Sequence, residues 1–228
     1  MGIKSLISMS LTDWDGKVSS VIFLGGCNFR CPYCHNWKLA VNPAALPDLD
    51  KEAVLQKISE SSKWIDGVVL TGGEPTCFEG LFELAEEIKS IGLGVKLDTN
   101  GSNPDVIKRM IRREMVDFIS MDFKNSFDKY PETTGTSVDV DDIKKSIEHI
   151  RHFGSYEFRT TVVPGLVEQS DLEKICNYLR DANTYIIQRY HPENVIYKEF
   201  SEISPQSDEE MEELVALCSQ HLKTKWRG

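Results

Sequence analysis

Short apolar runs that end in glycine pairs constrain the fold of this chain more than any other feature. The segments VSSVIFLGG at residues 18–26 and VVLTGG at residues 68–73 are rich in β-branched residues, as buried strands are. A stripe of helical spacing follows each run; after the second run it consists of Leu81, Leu84, Ala85 and Ile88. This alternation predicts parallel strands joined by right-handed crossovers. The residues directly after the strands are therefore the first candidates for a functional site.

The same pattern predicts six strands, at residues 18–26, 68–71, 95–98, 116–123, 158–163 and 185–188. Capping residues mark three of the helices: Asp50, Asn103 before Pro104, and a capping box from Ser207 to Glu210. A complete (β/α)8 barrel takes about 250 residues and eight strands. We therefore expect an α/β fold, an open partial (β/α)6 TIM-like barrel with a parallel sheet and outer helices. Because no linker interrupts the pattern, it predicts a single domain over residues 1–228.

Composition places the chain among ordinary globular proteins and excludes several function classes. Hydrophobic residues make up 40% of the chain and charged residues 27%. The net charge of −10 argues against nucleic-acid binding, which needs a surplus of Lys and Arg. No apolar run approaches the roughly 20 residues that span a bilayer, and no signal peptide is recognisable. We expect a cytoplasmic protein without a membrane or nucleic-acid partner, whose cysteines stay reduced.

Three of the six cysteines share one loop, directly after the first predicted strand. Cys27, Cys31 and Cys34 have the spacing C-x3-C-x2-C, so three thiolates can converge on one metal centre. A structural zinc ion wants a fourth ligand, and His35 is poorly placed for this because it adjoins Cys34. A [4Fe–4S] cluster held by three cysteines leaves one iron open for a substrate or cofactor. The spacing alone leaves both metals open.

Because its aromatic residue is Tyr33, the loop resembles the C-x3-C-x-aromatic-C signature of radical S-adenosylmethionine (SAM) enzymes. The segment Gly72-Gly73-Glu74-Pro75 is similar to the GGEP segment of that family, which holds the amino group of SAM. On its own such a segment is a common turn with a solvent-facing Glu. The resemblance to the family is specific because the cysteine loop follows the first predicted strand and this segment follows the second. The resemblance implies one [4Fe–4S] cluster per chain, held by the three cysteines of the loop, with SAM as the second cofactor.

Further segments resemble the branch of this family that activates glycyl-radical enzymes. They are Asp98-Thr99-Asn100-Gly101, Met121-Asp122-Phe123-Lys124, Arg159 and His191. Residues 11–18 look most like the activating proteins of anaerobic ribonucleoside-triphosphate reductases, with Asp15 where those have proline. This implies reductive cleavage of SAM to a 5′-deoxyadenosyl radical that takes a hydrogen atom from a glycine of the partner. The implied partner is the large reductase subunit, and the implied electron donor is a flavodoxin or ferredoxin-type protein.

The resemblance also implies which residues bind the cofactors. The set for SAM consists of Tyr33, Gly72, Gly73, Glu74, Asp98, Thr99, Asp122, Lys124, Arg159 and His191. Within it, Glu74 would accept from the amine, Lys124 or Arg159 would bind the carboxylate, and Tyr33 would lie beside the adenine. A monovalent cation, K⁺ or Na⁺, would bind to Asp98, Thr99 and Asp122. Strand alternation puts Asp122 and Lys124 on one side, which favours Lys124 for the carboxylate.

Two alternative functions stay open at this point. One is a radical SAM enzyme acting on a small molecule, similar to 7-carboxy-7-deazaguanine synthase, and the other is a non-enzymatic metal-binding module. Residues 36–71 contain no cysteine, which predicts a single cluster. Cys176 and Cys218 lie on helical stripes and are predicted to pack in the core. Cys77 is interpreted as an incidental thiol near the site.

Overall fold

The computed structural model describes residues 2–228 and has eight strands in that range, two more than the sequence predicts. The strands are β1 (Ile3–Ser10), β2 (Ser19–Leu24), β3 (Gly67–Gly72), β4 (Gly94–Thr99), β5 (Phe118–Asp122), β6 (Tyr156–Val162), β7 (Tyr185–Arg189) and β8 (Thr224–Arg227). The prediction of six strands is wrong because β1 and β8 lack an apolar run. β1 is serine-rich with half of its residues exposed, and β8 consists of the four residues TKWR.

Helices follow most of the strands. They are α1 (Trp37–Val41), α2 (Lys51–Ser61), α3 (Leu81–Ser90), α4 (Pro104–Arg112), α5 (Tyr130–Thr134), α6 (Val140–Phe153), α7 (Gln169–Tyr178), α8 (Lys198–Ser201) and α9 (Asp208–Cys218). Short 3₁₀ helices occur at Pro43–Ala45, Pro75–Cys77 and Phe127–Lys129. Among the helices of residues 2–228, none combines the length and apolar character needed to span a bilayer. The alternation of strands and helices confirms the predicted α/β class.

The chain divides into two compact units. The first comprises the chain up to residue 28 together with residues 36–99 and 103–120, and the second comprises residues 29–35, 100–102 and 121–228. In the first unit β1 pairs antiparallel with β2, whereas β2, β3 and β4 pair in parallel. In the second unit β6, β7 and β8 pair in parallel. The pairing is mostly parallel, as predicted, and β1 is the exception.

The first unit buries the apolar stripes that the sequence predicts. The buried face of α3 consists of Leu81, Leu84, Ala85 and Ile88. At the start of α2, the Asp50 carboxylate accepts a hydrogen bond from the Ala53 amide at 3.1 Å, which confirms the predicted cap. Such a cap satisfies one of the amides that a helix N-terminus leaves without an intrahelical partner.

The second unit contains two capping boxes. At α9, the Glu210 amide donates to Ser207 Oγ at 3.2 Å and the Ser207 amide donates to Glu210 Oε2 at 2.7 Å, as predicted. At α7, the Glu168 amide donates to the carboxylate of Asp171 at 3.0 Å. Cys176 of α7 and Cys218 of α9 are fully buried, which confirms that both pack in the core. No disulfide links any of the six cysteines within the described part of the chain.

Asn103 is the N-cap residue of α4 and Pro104 follows it, as predicted, but the Asn103 side chain makes no capping hydrogen bond. Its Nδ2 instead donates to Thr76 Oγ1 at 2.8 Å and to Cys77 Sγ at 3.5 Å. The side chain of Asn103 therefore connects the start of α4 to the turn after β3.

Candidate active site

The loops after β2 and β3 contact each other through their backbones. The Gly73 amide donates to the Leu24 carbonyl at 2.8 Å, and the Glu74 amide donates to the Gly26 carbonyl at 2.7 Å. A Cβ on Gly73 would lie 2.0 Å from the Gly26 carbonyl oxygen, so only glycine permits this approach. Because Cys27 follows Gly26, the contact holds the GGEP segment beside the start of the cysteine loop.

Glu74 is buried, with 1% of its surface exposed, so it is not the solvent-facing residue of an ordinary turn. Its Oε1 accepts hydrogen bonds from the Thr76 amide at 3.0 Å and from the Thr76 hydroxyl at 2.5 Å. The Thr99 hydroxyl donates to the same oxygen at 2.7 Å. Burial of a carboxylate is costly unless hydrogen bonds compensate it. Glu74 is thus an acceptor in a fixed position, suited to a positively charged group.

Asp98, at the end of β4, lies beside a lysine that the sequence-based site did not include. The ammonium of Lys96 is 3.0 Å from Asp98 Oδ1 and donates to the Asp13 carbonyl at 2.6 Å. The two side chains share one face of the strand because they are two residues apart. A lysine two residues before an aspartate in the same strand, Lys96 and Asp98, is the sequence signal that could have revealed this pair.

The second unit contains residues 29–35 of the cysteine loop. The Arg30 amide donates to the Thr134 carbonyl at 2.7 Å, at the end of α5. The next residue is Gly135, with φ of +64°, and a Cβ on it would lie 2.5 Å from the Arg30 carbonyl oxygen. A turn from the Cys34 amide to the Cys31 carbonyl, 3.1 Å long, follows in the loop. The close approach of α5 and this turn therefore set the backbone around these two cysteines.

Cys31 and Tyr33 are buried in this loop, as is Phe29. Burial raises the pKa of the Cys31 thiol to about 11, although the nearby charge of Lys124 acts to lower it. Burial also raises the pKa of Tyr33 well above its ordinary value. The Tyr33 hydroxyl has no hydrogen-bond partner among residues 2–228. Buried polar atoms normally have a partner, so a bound ligand is a natural partner for this hydroxyl.

Asp122, at the end of β5, is held between two cations of the same unit. Arg159 Nε donates to Asp122 Oδ1 at 2.7 Å, and Lys124 Nζ donates to Asp122 Oδ2 at 2.9 Å. Burial acts to raise the pKa of Asp122, but Arg159 and Lys124 lower it well below its ordinary value. For Lys124, burial acts to lower the pKa, and Asp122 raises it well above the usual range. The prediction that Asp122 and Lys124 share one side is confirmed.

The turn after β4 is also fixed by local contacts. Asn100 Oδ1 accepts from the Ser102 amide at 2.9 Å and from the Ser102 hydroxyl at 2.6 Å. Ser146 Oγ donates to the Gly101 carbonyl at 2.6 Å. Gly101 has φ of +76°, and a Cβ on it would lie 2.1 Å from Met121 Cε. The backbone angle favours glycine here, and an added Cβ would also require the flexible end of the Met121 side chain to move.

His191 lies close to the cysteine loop through its backbone. The ring Nε2 of His35 donates to the His191 carbonyl oxygen at 2.6 Å, and the two rings are 6.3 Å apart between centroids. The His191 side chain itself is exposed. His35 also stacks on Tyr190, with 6.3 Å between the ring centroids. His35, weighed above as a zinc ligand, thus orients the segment that carries His191.

The predicted site residues are distributed over both units. The first unit contains Cys27, Gly72, Gly73, Glu74, Asp98 and Thr99, and the second contains Cys31, Tyr33, Cys34, Asp122, Lys124, Arg159 and His191. No set of three or more His, Cys, Asp or Glu side chains within residues 2–228 forms a ready-made metal site. The assignment of a metal to particular side chains therefore stays a prediction.

Comparison with known proteins identifies the family. A family model described as the radical SAM superfamily matches residues 21–179. The chain belongs to the radical SAM superfamily. A Methanocaldococcus jannaschii protein named for the glycyl-radical enzyme activating enzymes is 32% identical over 226 residues, which cover 96% of this chain and 92% of the relative. The pyruvate formate-lyase-activating enzyme of Clostridium pasteurianum is 28% identical over 218 residues, which cover 86% of this chain and 88% of the relative.

The fold of this radical SAM protein is also found in solved structures. The crystal structure of Streptococcus suis SuiB superposes with a TM-score of 0.69 at 12% sequence identity. The match covers 91% of this chain and 48% of SuiB, so the chain spans about half the length of SuiB. At this level of identity the likeness shows the fold alone.

Membership of the radical SAM superfamily makes this chain an enzyme and implies a [4Fe–4S] cluster and SAM as cofactors. The residues present fit these groups by their chemistry. Three cysteines on one short loop supply the thiolate ligands that iron–sulfur clusters use. Glu74 supplies a buried acceptor for an ammonium group, and Tyr33 supplies a hydroxyl that lacks a partner among residues 2–228. The alternative of a non-enzymatic metal-binding module is thereby wrong.

Proposed function

We propose that this enzyme activates a glycyl-radical enzyme by forming the radical on a glycine of that partner. The observation that carries the proposal is the similarity along nearly the whole chain to a protein named for the glycyl-radical enzyme activating enzymes. The second relative, pyruvate formate-lyase-activating enzyme, is similar over most of its length as well. The conserved length of both matches favours a shared activity over a shared fold alone.

In this proposal Cys27, Cys31 and Cys34 hold one [4Fe–4S] cluster per chain. When bound, the cluster supplies one electron to the sulfonium of SAM, whose cleavage starts the radical chemistry. The thiols must lose their protons to act as ligands. For Cys31, burial opposes this loss and the charge of Lys124 favours it. The protein therefore supplies a positive side chain where the ligand set brings negative charge.

The SAM molecule would be recognised by side chains whose chemistry matches its groups. Glu74 accepts from the α-amino group, and Lys124 and Arg159 donate to the carboxylate. An ammonium carries three N–H donors and a guanidinium five, so the chemistry of both groups suits a carboxylate. Tyr33 lies beside the adenine in this scheme, and its hydroxyl gains the partner that it lacks within the described chain. The exposed His191 is a further contact.

The favoured partner is the large subunit of an anaerobic ribonucleoside-triphosphate reductase. The support for this choice is the resemblance of residues 11–18 to the activating proteins of those reductases. The electron donor in this proposal is a flavodoxin or a ferredoxin-type protein. Neither partner needs a nucleic-acid surface, in keeping with the net charge of −10.

The experiment that tests the activity is anaerobic reconstitution with iron and sulfide, followed by reduction and addition of SAM. We expect about four iron atoms per chain and release of 5′-deoxyadenosine and methionine. The enzyme is then mixed with a candidate reductase without oxygen, and electron paramagnetic resonance is recorded. A doublet on the reductase that disappears when its radical glycine is replaced by alanine supports the proposal.

The same experiment separates this proposal from the small-molecule alternative. A 7-carboxy-7-deazaguanine synthase-like enzyme would couple SAM cleavage to turnover of a purine precursor. If the precursor is consumed and no glycyl-radical protein from the same cell gives a doublet, the function belongs to that alternative. If pyruvate formate-lyase gives the doublet and the reductase does not, the class of activity stands and the choice of partner fails.

A further inference from the structure

Lys96 is a buried lysine of β4 whose ammonium is paired with the carboxylate of Asp98. Only 2% of its surface is exposed. Its ammonium lies 3.0 Å from Asp98 Oδ1 and donates to the Asp13 carbonyl oxygen at 2.6 Å. Its register partner on β3 is Val69, which is fully buried. A charged amine in apolar surroundings is stable only when it is paired, so Asp98 is the counter-charge that Lys96 requires.

This pair bears on the sequence-based hypothesis that Asp98 binds K⁺ or Na⁺. A metal cation at Asp98 would have to share the carboxylate with the ammonium of Lys96. Two like charges a few ångströms apart repel strongly where water is scarce. The single negative charge of Asp98 is already balanced, so a metal cation would add an uncompensated positive charge.

The other two residues of that hypothesis are engaged as well. Asp122 accepts from Arg159 through Oδ1 and from Lys124 through Oδ2, so its one negative charge faces two positive charges. Thr99 directs its hydroxyl hydrogen to Glu74. These residues do not fit a site for a monovalent metal cation, because neither carboxylate has negative charge left for the ion to balance.

We propose that Lys96 is the built-in counter-ion of Asp98 and that the protein binds SAM without a monovalent metal cation. The inference rests on the proposed SAM chemistry and deepens it. Lys96 is a positioning residue: its side-chain ammonium holds the Asp98 carboxylate in place. A K⁺ or Na⁺ ion from solution is then not needed for this. SAM binding should then be independent of the K⁺ or Na⁺ concentration.

The first test uses the unmodified protein after reconstitution of its cluster. SAM affinity is measured by equilibrium dialysis in potassium, sodium or tetramethylammonium chloride at equal ionic strength. We expect the dissociation constants to agree within about twofold. A dissociation constant about tenfold or more lower in potassium or sodium than in tetramethylammonium would overturn the inference.

The second test removes the ammonium. In tetramethylammonium buffer, Lys96→Ala should weaken SAM binding by about tenfold or more, since it leaves Asp98 without its counter-charge. Potassium or methylammonium ions should restore much of the affinity, because the vacated place then admits a small cation. A purely structural role of Lys96 predicts loss of affinity without rescue by either ion. The matched control is Lys89→Ala, which breaks the partly exposed pair of Lys89 with Asp117 in the same unit and should change neither affinity nor ion dependence.

The third test needs neither cluster nor SAM. The midpoint of thermal unfolding of the metal-free protein is measured by circular dichroism in potassium and in tetramethylammonium chloride. Lys96→Ala should be stabilised by potassium relative to tetramethylammonium, whereas the unmodified protein and Lys89→Ala should not. Stabilisation of the unmodified protein by potassium would contradict the inference.

These outcomes are distinguishable from failure of the proposed function. If the reconstituted protein cleaves SAM and does so only with K⁺ or Na⁺, the function stands and the role of Lys96 is refuted. If the reconstituted protein neither binds nor cleaves SAM under any of these salts, the proposed function fails and the inference fails with it.

Discussion

The hydroxyl of Thr99 donates a hydrogen bond of 2.7 Å to Glu74 Oε1, across 25 residues of sequence. The bond joins the end of β4 to the loop after β3, within one compact unit. Both residues were predicted site residues for separate reasons, Glu74 for the amine of SAM and Thr99 for a cation. The contact makes them parts of one arrangement, in which Thr99 helps to hold the acceptor in place.

Replacing Thr99 by valine keeps the volume of the side chain and removes the donor. We expect the free energy of unfolding to fall by about 1–3 kcal/mol, because a buried carboxylate loses a hydrogen-bond partner. SAM affinity should fall as well, since Glu74 is less firmly held. Urea denaturation and equilibrium dialysis measure the two effects. Thr99→Ser keeps the hydroxyl and should retain most of both properties, and an equal loss in Thr99→Ser would argue against this hydrogen bond as the cause.

Five of the six cysteines should separate into two classes by their effect on iron content. Alanine at Cys27, Cys31 or Cys34 should abolish cluster binding and formation of 5′-deoxyadenosine, because a cluster with an open iron needs all three ligands. Alanine at the buried Cys176 or Cys218 should leave the iron content unchanged and affect only packing. Iron and sulfide analysis after anaerobic reconstitution gives the result. An unchanged iron content in Cys31→Ala would remove it from the ligand set.

Gly73→Ala tests the backbone contact between the two loops. The added Cβ would lie 2.0 Å from the Gly26 carbonyl oxygen, which is backbone and has little freedom to move. We expect a loss of about 1–3 kcal/mol in stability from overpacking, together with weaker SAM binding. Gly80→Ala is the control, because the nearest atoms there belong to the movable ring of Phe78 at 3.0 Å. If both substitutions lower stability and SAM affinity equally, the contact between Gly73 and Gly26 does not account for the loss.

Asp171 should contribute to stability in a pH-dependent way. Its buried carboxylate accepts from Ser126 Oγ at 2.9 Å, from Lys129 Nζ at 2.7 Å and from the Glu168 amide at 3.0 Å. Burial acts to raise the pKa of Asp171, but these partners lower it below its ordinary value. A carboxyl group with a depressed pKa in the folded state stabilises the fold above its unfolded pKa, about 3.9. This contribution is lost as the pH falls through the lower, folded value.

The corresponding variant is Asp171→Asn. We expect it to lower the free energy of unfolding at pH 7 by about 1–3 kcal/mol, because the charged acceptor is lost. Its stability should also change less between pH 5 and pH 2, about the range over which carboxyl groups titrate. Denaturation curves across this range measure both effects. Asp128→Asn, at an exposed ion pair with Lys174, is the control and should change stability little. If the stability of Asp171→Asn falls between pH 5 and pH 2 as much as that of the unmodified protein, other carboxyl groups cause the acid sensitivity.

The sequence predicts those parts of the molecule that local patterns determine. Strands β2 to β7 could be predicted from their apolar runs. The buried face of α3 could be predicted from the spacing of its apolar residues, because burial of one helix face imposes a period on the sequence. The cysteine and GGEP motifs could be recognised in the sequence because each is contiguous. Contacts between distant residues could not: the bond from Lys96 to the Asp13 carbonyl spans 83 residues, and the Asn103 side chain turns to Thr76 instead of capping its own helix. The edge strand β1 was missed because an exposed strand needs no apolar face.

The two amides that join the loops after β2 and β3 have a consequence for hydrogen exchange. Loop amides usually exchange rapidly with solvent deuterium, because they open without unfolding of the core. The amides of Gly73 and Glu74 donate to the backbone carbonyls of Leu24 and Gly26, and a side chain on Gly73 would clash with the Gly26 carbonyl. They should therefore exchange at rates close to those of the strand amides. This segment of irregular backbone should then open to solvent as rarely as the sheet beside it.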